Sequence, residues 1–205
     1  MVEVNFKEPT LYNGDSGFKA ILKTVWPKLS DDVSSRRFPS FLAQAIESHL
    51  NERFRLKARI YTVSFVGLAV ESGRIFVSWT GLFRTHLTIN GRVVQVTRDH
   101  NLVDDRLPTV EISTDPRLRE IDKHTPTRQL LAVRGSGDRT WESAEWFADS
   151  DFEIIICSDS YHKFGKPEDY VFAFSSLLDQ GQSPEPVGGG GLITKIAYTR
   201  ERLIE

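Results

Sequence analysis

Two aspartates lie in short polar segments where a carboxylate could bind a metal ion. Asp15 lies in a glycine-bearing segment at residues 13–17, and Asp159 follows an apolar run that ends at Cys157. Hard dications such as Mg²⁺ and Mn²⁺ take carboxylate oxygens as ligands, and a site for one ion needs several of them. Each aspartate also has a structural explanation. Asp15 can cap a following helix, and Asp159 can accept hydrogen bonds from loop amides at the end of a strand.

Other residue types lack the spacing that further kinds of site require. No Gly-x-Ser-x-Gly elbow and no Walker-type phosphate loop occurs, and the glycine run 188–191 lacks the lysine of such a loop. Cys157 is the single cysteine, so no intramolecular disulfide forms, and its apolar neighbours favour burial over a nucleophilic role. The histidines show no metal-ligand spacing on a helix. They are His49, His86, His100, His124 and His162.

The composition is that of one soluble globular domain spanning residues 1–205. The chain is 40% hydrophobic and contains 13 Phe, 5 Tyr and 4 Trp, which is ample for a core and argues against disorder. The net charge is −2 and no block of lysine or arginine occurs, so we expect no nucleic-acid partner and no binding to anionic lipid. Neither a signal peptide nor a membrane span is predicted, and we expect a cytoplasmic protein.

Three segments have the apolar spacing of helices. They cover residues 17–29, 39–54 and 167–178. In the second, Ser40 is the expected N-cap, and apolar residues recur at helical spacing together with His49. We therefore expect the following side chains on its buried face: Phe41, Leu42, Ala45, Ile46, His49, Leu50 and Phe54.

Strand-like segments fill most of the remaining chain. Asn90-Gly91 between two such segments predicts a tight hairpin, since both residues tolerate positive φ. Helices combined with antiparallel strands predict an α+β fold. The predicted strands cover residues 58–70, 74–79, 83–89, 92–97, 129–133, 142–148, 153–157 and 192–198.

Residues 75–102 contain two recognisable motifs. The first is a strand followed by a turn in which Gly81 and Arg84 enclose Leu82-Phe83. The second matches the pattern Gln-x-Thr-x-Asp-His, with Gln95, Thr97, Asp99 and His100. This region resembles the middle of the type 2C, metal-dependent protein phosphatases, which have Gly-Asp-Ser-Arg at the turn and Gln-Leu-Thr-x-Asp-His after it.

Further motifs follow in the order of that family, and the resemblance covers roughly residues 38 to 200. Residues 127–131 are similar to its Thr-Arg-x-Leu-Gly element, with Leu131 in place of the glycine. Cys157-Ser158-Asp159 is similar to its Cys-Ser-Asp-Gly, with Ser160 in place of the glycine. Gly191-Leu192-Ile193-Thr194 lies where the family has Asp-Asn-x-Thr, and residues 13–17 where it has Asp-Gly-x-Gly-Gly.

The resemblance implies an antiparallel β-sandwich flanked by helices, the type 2C phosphatase fold, here N-terminally shortened. The family's first two strands carry an arginine and a Glu-Asp pair, which we do not find. Members are implied to bind two Mn²⁺ or Mg²⁺ ions that activate a bridging water. In this chain Asn13 and Gly191 replace two of the aspartates, so Asp159 alone stands where a ligand is expected. The element with Asp99 and His100 lies away from the metals in the family, so a turn role is favoured over a catalytic dyad.

We therefore expect a pseudophosphatase that binds a protein partner, such as a phosphoprotein or a kinase. No cofactor is expected, and Mn²⁺ or Mg²⁺ would bind only if a residual site with Asp15 and Asp159 survives. One alternative is a divergent metal-dependent serine/threonine phosphoprotein phosphatase with a rewired site, in which Asp15, Asp159 and Glu8 bind one metal ion. Another is a subunit of a larger assembly that docks through exposed aromatic side chains. The candidates are Trp141, Trp146, Phe147 and Phe152.

Overall fold

The structure is a computed structural model that describes about half of the chain in detail. The described residues are 33–54, 62–101, 103, 117, 127, 130–131, 141–158, 161, 167–185 and 193–199. The predicted helix at residues 17–29 lies outside them. So do the proposed metal ligands Asp15, Asp159 and Glu8, and the substituted positions Asn13 and Gly191.

The described residues form two helices and nine strands. The helices are α1 (Phe38–Phe54) and α2 (Pro167–Asp179). The first five strands are β1 (Thr62–Val63), β2 (Phe65–Glu71), β3 (Arg74–Thr80), β4 (Arg84–Ile89) and β5 (Arg92–Gln95). The other four are β6 (Leu130–Leu131), β7 (Glu142–Phe147), β8 (Phe152–Cys157) and β9 (Ile193–Tyr198). The predicted segments that fall on described residues are confirmed with small shifts at their ends, except the strand predicted over residues 58–70. Its described part is divided at Ser64 into β1 and β2, which belong to different sheets.

Two antiparallel sheets pack face to face. One has the order β2-β3-β7 and the other β5-β4-β8-β9, while β1 and β6 form a separate pair. Alternate residues of β3, among them Ile75 and Val77, point into the space between the sheets and meet Ile154 and Ile156 of β8. The α+β sandwich predicted from the sequence is therefore confirmed. Among the described residues, no helix is long and apolar enough to cross a membrane.

Strand β8 is buried on both faces, which explains its apolar sequence apart from the half-buried Glu153. Ile154 and Ile156 face the other sheet, whereas Ile155 and Cys157 face α2. On that second side they pack against residues of α2 that recur at helical spacing. These are Tyr170, Val171 and Phe174.

Helix α1 covers β2 and β3 on the outer face of the smaller sheet. Its buried residues are Leu42, Ala43, Ile46 and Leu50, as a helical stripe requires. The predicted burial of Phe41 is wrong: this side chain is 40% exposed, because it points away from that stripe.

The predicted N-cap role of Ser40 is also wrong. The helix begins at Phe38, whose N–H bonds to Ser34 O, so Ser40 lies within the first turn. Pro39 is compatible with that early start, since the first turn needs no proline N–H. The Ser40 hydroxyl instead reaches the sheet and contacts Ser78 Oγ at 3.0 Å.

Two tight turns depend on glycine in the left-handed region. Gly91, with φ +72°, closes the predicted Asn90-Gly91 hairpin between β4 and β5. Gly81, with φ +85°, turns the chain from β3 towards β4. A Cβ on Gly81 would lie 2.7 Å from Ser64 Cβ and closer still to its Oγ, whereas a Cβ on Gly91 would meet nothing within 4 Å.

Replacing these glycines separates backbone strain from steric conflict. We expect Gly91→Ala to cost about 1–2 kcal/mol, the penalty for an L-residue in left-handed backbone. Gly81→Ala should cost clearly more, because the added methyl also displaces Ser64. The free energy of unfolding from urea titration measures both losses. Equal losses in the two variants would contradict the close contact at Gly81.

Candidate functional site

The motif residues that the structure describes converge at one end of the sandwich. In the β4–β8 pairing, Arg84 stands opposite Cys157, so the first residue of β4 adjoins the last residue of β8. The segment that follows β5, residues 96–101, folds back across the start of β4. Three motifs that are separate in the sequence therefore meet at this position.

A buried ion pair joins two of these motifs. Arg84 Nε donates to both carboxylate oxygens of Asp99 at 2.9 and 3.2 Å, and Arg84 Nη2 donates to Oδ2 at 2.7 Å. The Asp99 side chain is 3% exposed and that of Arg84 is 21% exposed. Burial alone would lower the pKa of Arg84, but hydrogen bonding to Asp99 and the charge of Asp99 raise it above its ordinary value. The bidentate geometry fixes both residues.

Thr97 continues the pairing of β4 beyond the end of β5. Its Oγ1 accepts a hydrogen bond from Thr85 N at 2.8 Å and donates to Phe83 O at 3.1 Å. Gln95 Nε2 donates to Thr97 O at 2.6 Å. These side chains satisfy backbone groups where the strand ladder stops, so their role is structural.

His100 holds the turn at Gly81. Gly81 N–H donates to His100 Nδ1 at 3.3 Å, and His100 N–H donates to Gly81 O at 3.0 Å. Because Nδ1 accepts, a neutral His100 carries its proton on Nε2, which lies 3.6 Å from Glu142 Oε1. The His100 backbone carbonyl also accepts from Thr127 N–H at 2.8 Å, which brings a further motif to this end.

Asp99 and His100 therefore do not act as a pair. The Asp99 carboxylate is bound by Arg84, and the His100 ring is bound by the Gly81 backbone. Both side chains are buried, at 3% and 0% exposure. Their contacts favour the turn role that the sequence suggested over a catalytic dyad.

Cys157 and Tyr170 lie beside the Arg84–Asp99 pair and hold their protons. Burial is the main reason that the pKa of Cys157 rises from 9.0 to about 12. Burial likewise raises the pKa of Tyr170 to about 12, and Tyr170 Oη lies 2.9 Å from His86 Nε2. The predicted burial of Cys157 is confirmed, and a protonated thiol is a poor nucleophile.

The proposed metal ligands Asp15 and Asp159 stay predictions, because both lie outside the described residues. Within the part of the chain that the structure describes, no group of three or more His, Cys, Asp or Glu side chains is placed to hold a metal ion. Of the four candidate aromatic residues, Phe152 is buried and Trp146 packs against the core, whereas Phe147 is 66% exposed.

Several polar contacts of the structure have no signal in the sequence. Arg98 forms a bidentate pair with Glu142, and Tyr170 meets His86 across 84 residues of sequence. Lys195 bridges β9 to α2 through Asp179, at 2.7 Å. The sequence predicts the strands and helices involved, but their register decides which polar side chains become neighbours.

Comparisons with known proteins agree with this architecture. No family model matches the sequence, and no curated protein does either. Among solved structures, the serine/threonine phosphatase PstP/Ppp of Mycobacterium tuberculosis is 16% identical with a TM-score of 0.59, over 89% of this chain and 81% of that one. PppA of Pseudomonas aeruginosa, a regulatory component of T6SS, is 15% identical with a TM-score of 0.63, over 91% and 83%.

The PstP catalytic domain with two manganese ions is similar at 16% identity and a TM-score of 0.57, over 87% of this chain and 79% of that one. At these identities the likeness shows the fold alone. The chain has the fold of the type 2C serine/threonine phosphatases, as its motifs predicted.

The two bidentate arginine pairs should differ strongly in their contribution to stability. Arg84→Met leaves the Asp99 carboxylate buried and unpaired, so we expect a loss of about 3–5 kcal/mol. Arg98→Met breaks a pair in which Arg98 is 51% exposed, and we expect a loss below about 1 kcal/mol. Urea unfolding of both variants tests the ranking. Similar losses would show that the Arg84–Asp99 pair does not anchor this end of the sandwich.

Cys157 should be unreactive in the folded protein and should make stability fall at alkaline pH. Its pKa is raised, so its contribution is complete below pH 9 and is lost as pH rises towards 12. Tyr170 acts in the same direction. We expect no alkylation by iodoacetamide at pH 8 until the chain is unfolded, and a smaller alkaline loss of stability in Cys157→Ala. Rapid alkylation of the native protein would contradict the buried, protonated thiol.

Proposed function

We propose that this protein is a pseudophosphatase: a type 2C phosphatase fold that serves as a protein-binding, regulatory module without metal-dependent catalysis. The observation that carries the proposal is the identity of two residues. Where the resemblance implies metal-binding aspartates, the chain has Asn13 and Gly191.

The donor set at these positions does not fit a pair of hard dications. Two such ions repel each other, and several carboxylates are needed to neutralise them and fix their geometry. Asn13 offers only a neutral amide oxygen, Gly191 has no side chain, and Asp159 is a single carboxylate. We therefore derive no catalytic step through bound metals.

The motif residues that match the family and are described by the structure form their scaffold contacts by contrast. Arg84 and Asp99 form their buried pair, Thr97 completes the pairing of β4, and Gly81 makes its turn with His100. A stable fold with a poor ligand set suits a binding role, and PppA, of similar fold, is a regulatory component. The proposed partner is a protein, such as a phosphoprotein or a kinase, in the cytoplasm.

The alternative is a divergent metal-dependent phosphoprotein phosphatase. Asp159 favours it, since this aspartate stands in Cys157-Ser158-Asp159, the motif position where a ligand is expected. A rewired site would combine Asp159 with Asp15 and Glu8 and would use Mn²⁺ or Mg²⁺. The PstP catalytic domain contains two manganese ions on a similar fold.

Metal titration separates the two functions. We expect no heat of binding when Mn²⁺ or Mg²⁺ is added to about millimolar concentration, because one carboxylate holds a dication weakly. We also expect no Mn²⁺-dependent turnover of phosphopeptides. Calorimetry and a phosphate-release assay measure these on the wild type, on Asp159→Ala and on Glu185→Ala, an exposed carboxylate outside the motifs. Micromolar Mn²⁺ binding that only Asp159→Ala abolishes would establish the divergent enzyme.

A further inference from the structure

Three serine hydroxyls from three different elements meet on the outer face of the smaller sheet. Ser40 comes from α1, Ser78 from β3 and Ser143 from β7. Their Oγ atoms lie 3.0 Å (Ser40–Ser78), 3.0 Å (Ser40–Ser143) and 2.7 Å (Ser78–Ser143) apart. Ser78 and Ser143 are direct partners in the β3–β7 register, which fixes the shortest of these distances.

Two of these hydroxyls line a pocket. Its volume is about 210 Å³, below the range of about 300–1,000 Å³ that is usual for sites of drug-sized ligands, so it suits one small group. Ser78 is 1% exposed, yet it forms part of the lining. The pocket is lined by Arg36, Pro39, Phe76, Val77, Ser78, Ser143, Ala144 and Glu145.

The hydroxyl cluster can donate hydrogen bonds into the pocket. Each serine has one O–H donor and two acceptor lone pairs. Ser40 stands behind the other two and can donate to either of them. In the 2.7 Å contact one of Ser78 and Ser143 donates to the other, so one hydroxyl hydrogen of this pair remains to donate to a group in the pocket.

Two charged side chains, Arg36 and Glu145, line the pocket, and Arg74 lies beside Glu145. Arg36 Nε lies 3.3 Å from Glu145 Oε2, and Arg74 Nη1 lies 3.5 Å from Glu145 Oε1. One carboxylate therefore serves two guanidinium groups. Arg36 approaches Glu145 through Nε, which leaves the N–H groups of its terminal nitrogens for another acceptor. The Arg36 side chain is 73% exposed, so its pair with Glu145 is weak and can rearrange.

We propose that this pocket binds a phosphoryl group, carried either by a small molecule or by a phosphorylated side chain of a partner. A phosphoryl group presents three acceptor oxygens. They match the remaining hydroxyl hydrogen of the Ser78–Ser143 pair and the terminal N–H groups of Arg36, and charge-assisted bonds of this kind are strong. A phosphorylated partner as the source rests on the proposed function, whereas the site itself does not.

A purely structural role for the serines gives different expectations. If they only fasten α1 to the sheet, their removal lowers stability and leaves anion binding unchanged. Arg36 and Glu145 would then be unrelated surface charges. Binding and stability must therefore be measured on the same variants.

The test is a titration of the full chain with inorganic phosphate and with a phosphoserine peptide, followed by NMR or calorimetry. EDTA in the buffer removes any contribution from bound metal. We expect Arg36→Gln and Ser143→Ala to weaken binding about tenfold or more, as loss of one hydrogen bond to a charged group implies. Glu145→Gln should strengthen binding, because it removes the competing carboxylate. Arg92→Gln, an exposed arginine on the β4–β5 hairpin, is the matched control and should bind as the wild type.

A general phosphoryl site is supported if both probes bind and the variants change their affinity as expected. A site for a phosphorylated partner is supported if the peptide alone binds. The inference is overturned if neither probe binds at about millimolar concentration. It is also overturned if Arg36→Gln and Ser143→Ala bind as the wild type while circular dichroism shows them folded. Because EDTA is present, these outcomes are independent of whether Mn²⁺-dependent turnover exists.

Discussion

The buried pair of Arg84 and Asp99 is the constraint on which this end of the sandwich depends. A buried carboxylate must be paired, and the bidentate contact lets Asp99 occupy only one place relative to the start of β4. The chain between β5 and Asp99 must then lie along β4. There the Thr97 hydroxyl bonds the backbone N–H of Thr85 and the backbone carbonyl of Phe83. His100 follows directly and reaches the Gly81 backbone. One electrostatic contact thus fixes the positions of a turn, a strand end and a loop.

The same burial keeps the titratable side chains of this region protonated or paired. Removal of water raises the pKa of both Cys157 and Tyr170 to about 12, so neither group supplies a thiolate or phenolate near neutral pH. The Asp99 carboxylate is committed to Arg84, and the His100 ring accepts from Gly81. Thr97 and Gln95 likewise use their side chains to satisfy backbone groups. Outside the described residues, Asn13 and Gly191 stand at two positions where the resemblance implies metal-binding aspartates.

Local sequence patterns predicted local structure well. They failed where two preferences competed for the start of a helix. The Asn90-Gly91 hairpin and the apolar run of β8 follow directly from backbone freedom and from burial on both faces. Ser40 has the side chain of an N-cap, yet the helix starts earlier because Pro39 fits its first turn. The side chain is then free to join Ser78 and Ser143. That cluster depends on the β3–β7 register, which no pattern within either strand specifies.

The Arg84 network and the serine-lined pocket lie in different parts of the sandwich. The Arg84 network lies in the larger sheet beside α2, whereas the pocket with Arg36 and Ser143 lies on the outer face of the smaller sheet beside α1. Core residues such as Val77 and Ile154 are buried between the two sheets. Recognition on the outer face therefore needs an intact sandwich but makes no demand on metal ligands. A chain that keeps its scaffold contacts while its metal-binding positions change is consistent with that division.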